Sequence, residues 1–85
     1  MTVAILNITY RGRSADLAQA LDDRTTDADI RRIAVEVVRA GDLPGLRVPG
    51  LADDAFRHFV VDRIHDPAGT CHIYLRPKVP FGSGR

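Results

Sequence analysis

Three histidines and the single cysteine fall in the second half of the chain, at His58, His65, Cys71 and His72. Imidazole nitrogen and thiolate sulfur are the donors that zinc takes in sets of three or four. His58 and His65 precede the turn sequence Asp66-Pro67-Ala68-Gly69, and His72 follows it. If the flanking segments pair, His58 or His65 approaches His72 across the hairpin, with Asp66 as an oxygen donor. Strand parity breaks the set, because successive side chains point to opposite faces and Cys71 is sent away from His72. No metal site is expected, and Cys71 reads as a buried, inert strand thiol.

Adjacent carboxylates occur at Asp22-Asp23 and Asp53-Asp54. General acid–base work needs two groups that converge on one substrate, and chain neighbours do not. These pairs read as turn and cap residues. The chain has no phosphate-binding glycine loop, no zinc-hydrolase helix pattern and no serine elbow. The expectation is no catalytic residue, no cofactor and no enzyme activity.

Composition narrows the classes further. Eighty-five residues, 45% hydrophobic and 27% charged, suit one small globular unit with a modest core and no deep active site. Twelve basic and eleven acidic residues leave a net charge of +1, which does not call for nucleic acid. The one basic cluster to consider is Arg11, Arg13, Arg76 and Lys78, which meets if the first and last strands are neighbours, with Tyr74 as a stacking surface. Nucleic acid is not the expected partner. One cysteine forbids an internal disulfide and makes a reducing, cytoplasmic setting the simpler expectation. The N-terminal apolar run has no basic region before it and is not read as a signal peptide, and no stretch approaches a membrane span.

The elements that would carry these residues follow from periodicity. Val3 to Tyr10 is β-branched and aliphatic and ends at Arg11-Gly12-Arg13, a strand and its turn. Its two faces are both apolar at the start, as a central strand requires, with Asn7 and Thr9 on the more exposed side. Ser14 to Leu21 is open to two readings. Leu17 and Leu21 sit one helical turn apart with Ser14 as a cap, while Ala15, Leu17, Gln19 and Leu21 share one side of a strand. The strand is favoured, since the first strand needs a partner.

Ile30, Ile33, Ala34, Val37 and Val38 form one helical stripe. Thr25 or Thr26 caps its start, Asp27 and Asp29 suit its positive end, and Gly41 stops it. Pro44-Gly45 and Pro49-Gly50 then mark a structured connector with at most a short strand around Leu46 to Val48. Phe56 to Ile64 alternates as a strand, which places Phe56 and Phe59 on opposite faces. Thr70 to Arg76 alternates Cys71, Ile73 and Leu75 inward against His72, Tyr74 and Arg76 outward.

Hairpin, long helix, connector, hairpin: with ILNITYRGRSADLAQALDDRTTDADIRRIAVEVV at its start and CHIYLRP near its end, the chain resembles the ubiquitin-like β-grasp family. The resemblance implies an α+β fold, a mixed sheet of four or five strands packed on one helix over residues 1–77, with 78–85 as a flexible basic tail. It implies a partner surface on the open face of the sheet. Tyr74, Arg76, Lys78 and Phe81 are the expected contact residues.

Two uses of such a fold follow from the resemblance. One is a protein-interaction domain that docks on another protein and performs no chemistry, which is the favoured reading. The other is a modifier or sulfur carrier, adenylated at a terminal glycine by an activating enzyme. That route needs processing to expose Gly82 or Gly84, because the chain closes on Gly82-Ser83-Gly84-Arg85 and not on a glycine pair.

Overall fold

A computed structural model of the chain describes residues 2–22 and 24–78, so Phe81, Gly82, Gly84 and the rest of the expected tail beyond Lys78 lie outside the described residues. Five elements appear in the order β1 (Thr2–Tyr10), β2 (Arg13–Leu21), α1 (Asp27–Ala40), β3 (Val60–His65) and β4 (Cys71–Arg76).

The ambiguous stretch is a strand. β1 and β2 form an antiparallel hairpin in continuous register from Thr2 opposite Leu21 to Tyr10 opposite Arg13. Arg11 and Gly12 make the turn with φ of 51° and 79°. Two successive left-handed residues are what a two-residue hairpin needs to match the twist of its strands, and glycine takes one of them without strain.

α1 begins at a capping box. The Thr26 hydroxyl accepts from the Asp29 amide at 3.1 Å, and the Asp29 carboxylate accepts from the Thr26 amide at 3.3 Å. The helix ends at Gly41 in the left-handed conformation, where the Asp42 amide reaches Val37 O at 3.1 Å and the Gly41 amide reaches Val38 O at 3.3 Å. These bonds satisfy amides and carbonyls that a bare helix end leaves open.

Ile30, Ala34, Val37 and Val38 of the expected stripe are buried, and Val35 joins them from outside it. The chain after the helix wraps back over that flank. Arg39 Nε donates to Leu51 O at 2.7 Å, and Arg31 donates twice to Phe59 O, at 3.1 and 3.0 Å. The two arginines thus tie the connector to the helix. Leu43, Leu46 and Leu51 enter the core from it, and around Pro44-Gly45 only a single bridge pairs Leu43 with Leu46, without a regular strand.

The expected strand from Phe56 to Ile64 is corrected at its first half. Residues 53–58 run through turns, the Phe59 amide donates to Phe56 O at 2.9 Å, and β3 starts only at Val60. A turn brings residues three apart to the same side, where strand parity would separate them. Phe56 and Phe59 therefore pack together, with ring centroids 4.8 Å apart, and Tyr10 meets Phe56 edge-on at 5.6 Å. Phe56 is 1% exposed and forms the largest fully buried side chain.

The sheet has four strands in the order β2-β1-β4-β3, with β1 and β4 parallel and the outer pairs antiparallel. Its inward face presents Ala4, Leu6, Ile8, Ile73 and Leu75, all buried in one cluster with the helix. A mixed sheet whose last strand inserts beside its first, wrapped on one helix, is the β-grasp topology of ubiquitin-like proteins.

Candidate functional site

The outward side of the sheet is built in rows, which the strand registers define. One row runs Asp16, Asn7, Tyr74 and Asp62 across β2, β1, β4 and β3. A second runs Ala18, Ile5, His72 and Ile64. Ser14 and Thr9 face each other at one end, Ala20 and Val3 at the other. The rows divide the face into a polar half and an apolar half. Val3 and Ile64 are 60% and 55% exposed, the two large hydrophobic side chains most open to solvent among the described residues.

In the polar half, side chains are held by their neighbours across the strands. Asn7 Nδ2 donates to Asp16 Oδ1 at 2.6 Å, the Thr9 and Ser14 hydroxyls are bonded at 2.7 Å, and Arg76 is paired with Asp62. Tyr74 stands between these pairs. Its ring stacks on His72 at 6.4 Å with the planes 15° apart. His72 Nε2 lies 3.0 Å from Asp66 Oδ2, and the other oxygen of Asp66 accepts from the Ala68 and Thr70 amides at 3.0 and 2.9 Å. The His72 hydrogen bond, followed by that of the Thr70 amide, holds the Asp66 carboxyl below its ordinary range. The β3–β4 turn thus braces His72, and His72 braces Tyr74.

Of the expected contact residues, two fall where parity placed them, and Phe81 lies outside the described residues. Tyr74 and Arg76 are on the outward face, and Lys78 is exposed two residues beyond the end of β4. Periodicity drew attention to Tyr74 and Arg76 and passed over Val3, Ile5 and Ile64. The signal was present in β1, whose outward positions carry Val3 and Ile5 before Asn7 and Thr9. Apolar residues on both faces also mark a central strand, which β1 is.

The histidines do not assemble. His65 lies opposite Cys71, His72 lies opposite Ile64, and His58 accepts a hydrogen bond from Arg57 Nε at 3.1 Å. Cys71 is half-buried on the inward side, opposite in facing to His72. Among the described residues, no group of three or more His, Cys, Asp or Glu side chains is placed to hold a metal ion. No helix among them is long and apolar enough to cross a membrane.

No protein-family model, curated protein or solved structure matches this chain, and its likeness to ubiquitin-like β-grasp proteins is one of fold, in strand order and helix placement.

Proposed function

We propose that the chain is a ubiquitin-like interaction domain that docks on another protein through the outward face of its sheet and carries out no chemistry itself. The observation behind this reading is the exposure of Val3 and Ile64 in the apolar half of the outward face, next to the row that carries a braced aromatic, Tyr74, with no described element over them. Covering two aliphatic side chains and a tyrosine removes apolar area from water, which drives association. A tyrosine fixed by stacking loses little rotamer entropy when a partner closes on it, which is why such residues serve as interface anchors. The Asp62–Arg76 and Asn7–Asp16 pairs then form a polar rim that sets orientation more than affinity.

The test begins with a photo-crosslinking side chain at Ile64 and mass-spectrometric identification of what it captures in the source cell. The captured protein is then purified and its affinity measured for wild type, Tyr74→Ala and Ile64→Asp. Loss of at least tenfold, with unchanged circular dichroism, supports the face as the docking surface. Equal affinities for all three would remove it.

The modifier or sulfur-carrier reading stands second. It is favoured by one feature: β4 leads to exposed Pro77 and Lys78, a few residues before Gly82 and Gly84 in the sequence. Chains ending at Gly82 and at Gly84, incubated with ATP and an activating enzyme, would show an adenylate or thioester by intact mass. Wild-type-like docking with no such adduct would leave the interaction reading alone.

A further inference from the structure

Among the described residues, some arginines are neutralised by a carboxylate and others are not. Arg32, Arg39, Arg57, Arg63 and Arg76 each pair with an aspartate. Arg11, Arg13 and Arg47 appear in none of the ion pairs among the described residues, yet all three line one pocket of about 170 Å³ between the β1–β2 turn and the connector. They come from segments more than thirty residues apart. Two rigid turns set their separation: the left-handed pair Arg11-Gly12 on one wall, and Pro44-Gly45, with Gly45 at φ 74°, on the other.

Each of the three is steadied by a contact that leaves its charge unneutralised. The Arg11 guanidinium lies over the Tyr10 ring, 5.2 Å from the centroid. Arg13 donates one bond to Gly45 O, at 3.3 Å, out of the five donors a guanidinium has. The Arg47 stem runs so close to Gly41 that a β-carbon there would sit 2.8 Å from its Cδ. A carboxylate would have held these side chains and cancelled them; an aromatic face, a carbonyl and a glycine hold them and leave three positive charges bordering one cavity. Asp42, the acid nearest to Arg47 in the chain, takes part in none of the ion pairs. Because β1 and β4 are parallel, exposed Lys78 leaves the sheet at this same end and adds to the potential.

We infer that Arg11, Arg13 and Arg47 form a binding site for a phosphate group. Three guanidinium-bearing side chains bordering one pocket suit an oxyanion that carries nearly two charges and three acceptor oxygens at neutral pH, where a single carboxylate would leave most of the charge unanswered. The cavity is well below the volume that encloses a drug-sized ligand, so it takes the phosphate itself and not the body that bears it. A free polyphosphate and a phosphorylated side chain share that chemistry. The site is separate from the docking face: its pocket lies between the hairpin tip and the connector, and none of the outward-row residues lines it.

Titration of ¹⁵N-labelled protein with inorganic pyrophosphate at low ionic strength, followed by amide and arginine Nε–H resonances, tests the site. Saturable shifts centred on Arg11, Arg13, Gly45 and Arg47 are expected. Arg13→Ala and Arg47→Ala should each weaken binding about tenfold, the scale of one charge-assisted hydrogen bond, and Arg47→Lys should recover only part of it. Arg24→Ala, an exposed arginine outside the pocket, should bind as wild type. A phosphoserine peptide that binds more tightly than its unphosphorylated form and than pyrophosphate would identify a phosphorylated protein as the source; the reverse order would identify a free polyphosphate. Absence of saturable shifts, equal weakening by Arg24→Ala, or an oligonucleotide without terminal phosphate binding as tightly as pyrophosphate would overturn the proposal, the last in favour of non-specific backbone attraction.

Discussion

The inward and outward faces of the sheet belong to the same strands, yet their side chains are stabilised in different ways. Inward, Leu6, Ile8, Ile73 and Leu75 are removed from water by α1 and the connector. Outward, Asn7 reaches Asp16, Thr9 reaches Ser14 and Asp62 reaches Arg76, all laterally and all in contact with solvent. Exposed ion pairs and hydrogen bonds of this kind contribute little to folding, while burial of aliphatic and aromatic surface contributes most of it. A surface whose side chains are held in place but contribute little to stability is free to be used for contact.

The largest effect expected from this contrast is at Phe56, which closes the inward core against Tyr10 and Phe59. Phe56→Ala removes a fully buried ring and leaves a cavity, and should destabilise by about 3–5 kcal/mol in urea denaturation. Ile64→Ala, which truncates an equally apolar side chain on the outward face, should stay within about 0.5 kcal/mol. Comparable losses at both positions would mean that the outward face is packed too, and the contrast would collapse.

How the two faces were legible in the sequence differs as well. β4 was readable in full, because Cys71, Ile73 and Leu75 alternate with His72, Tyr74 and Arg76 without interruption. The helix was readable from its 3.6-residue stripe and its Thr26 and Gly41 ends, except for Val35, whose burial depends on a connector that returns over the helix flank. Such long-range coverage leaves no periodic trace. Phe56 to Phe59 departs from the expected strand for a related reason: Phe56 and Phe59 stand three apart with Arg57 and His58 between them, which breaks a period of two, and the turn is fixed by its own hydrogen bond and the aromatic cluster with Tyr10. The outward apolar half was missed because Val3 and Ile5 satisfy two explanations at once. The arginine pocket joins Arg13 to Gly45, 32 residues apart, through a contact that only the folded hairpin and connector create.

A second test sharpens the contrast from the helix that covers the inward face. α1 carries five β-branched residues that win little from intrinsic propensity, so its start depends on the capping box. Thr26→Ala removes the hydroxyl that accepts from the Asp29 amide and should cost about 1 kcal/mol. Thr26→Ser, which keeps an acceptor, should recover most of it in the same denaturation series. A loss confined to the first turn would appear as faster amide exchange there, with the sheet amides unchanged. If the sheet amides exchange faster as well, helix and inward face unfold as one unit.

The smallest effect concerns the brace under Tyr74. Asp66 has its carboxyl lowered chiefly by the His72 hydrogen bond and next by the Thr70 amide, all in the folded state only. A carboxyl lowered on folding contributes stability that is fully present above its unfolded value, about pH 4, and that is lost as pH falls through the lower folded value. Wild type should therefore lose stability on acidification below about pH 4, and Asp66→Asn should flatten that part of the profile. The carboxylate is only partly buried, so the change in stability is slight, and the more telling readout is the ring itself. In the Asn variant the bonds to the Ala68 and Thr70 amides can persist through the amide oxygen, while the charged partner of His72 is gone. Loosened stacking, seen as reduced ring-current shifts between His72 and Tyr74 with the melting temperature nearly unchanged, would show that the turn positions the aromatic of the docking face without holding the fold together. A large drop in melting temperature would place Asp66 on the inward side of the comparison, as a determinant of folding.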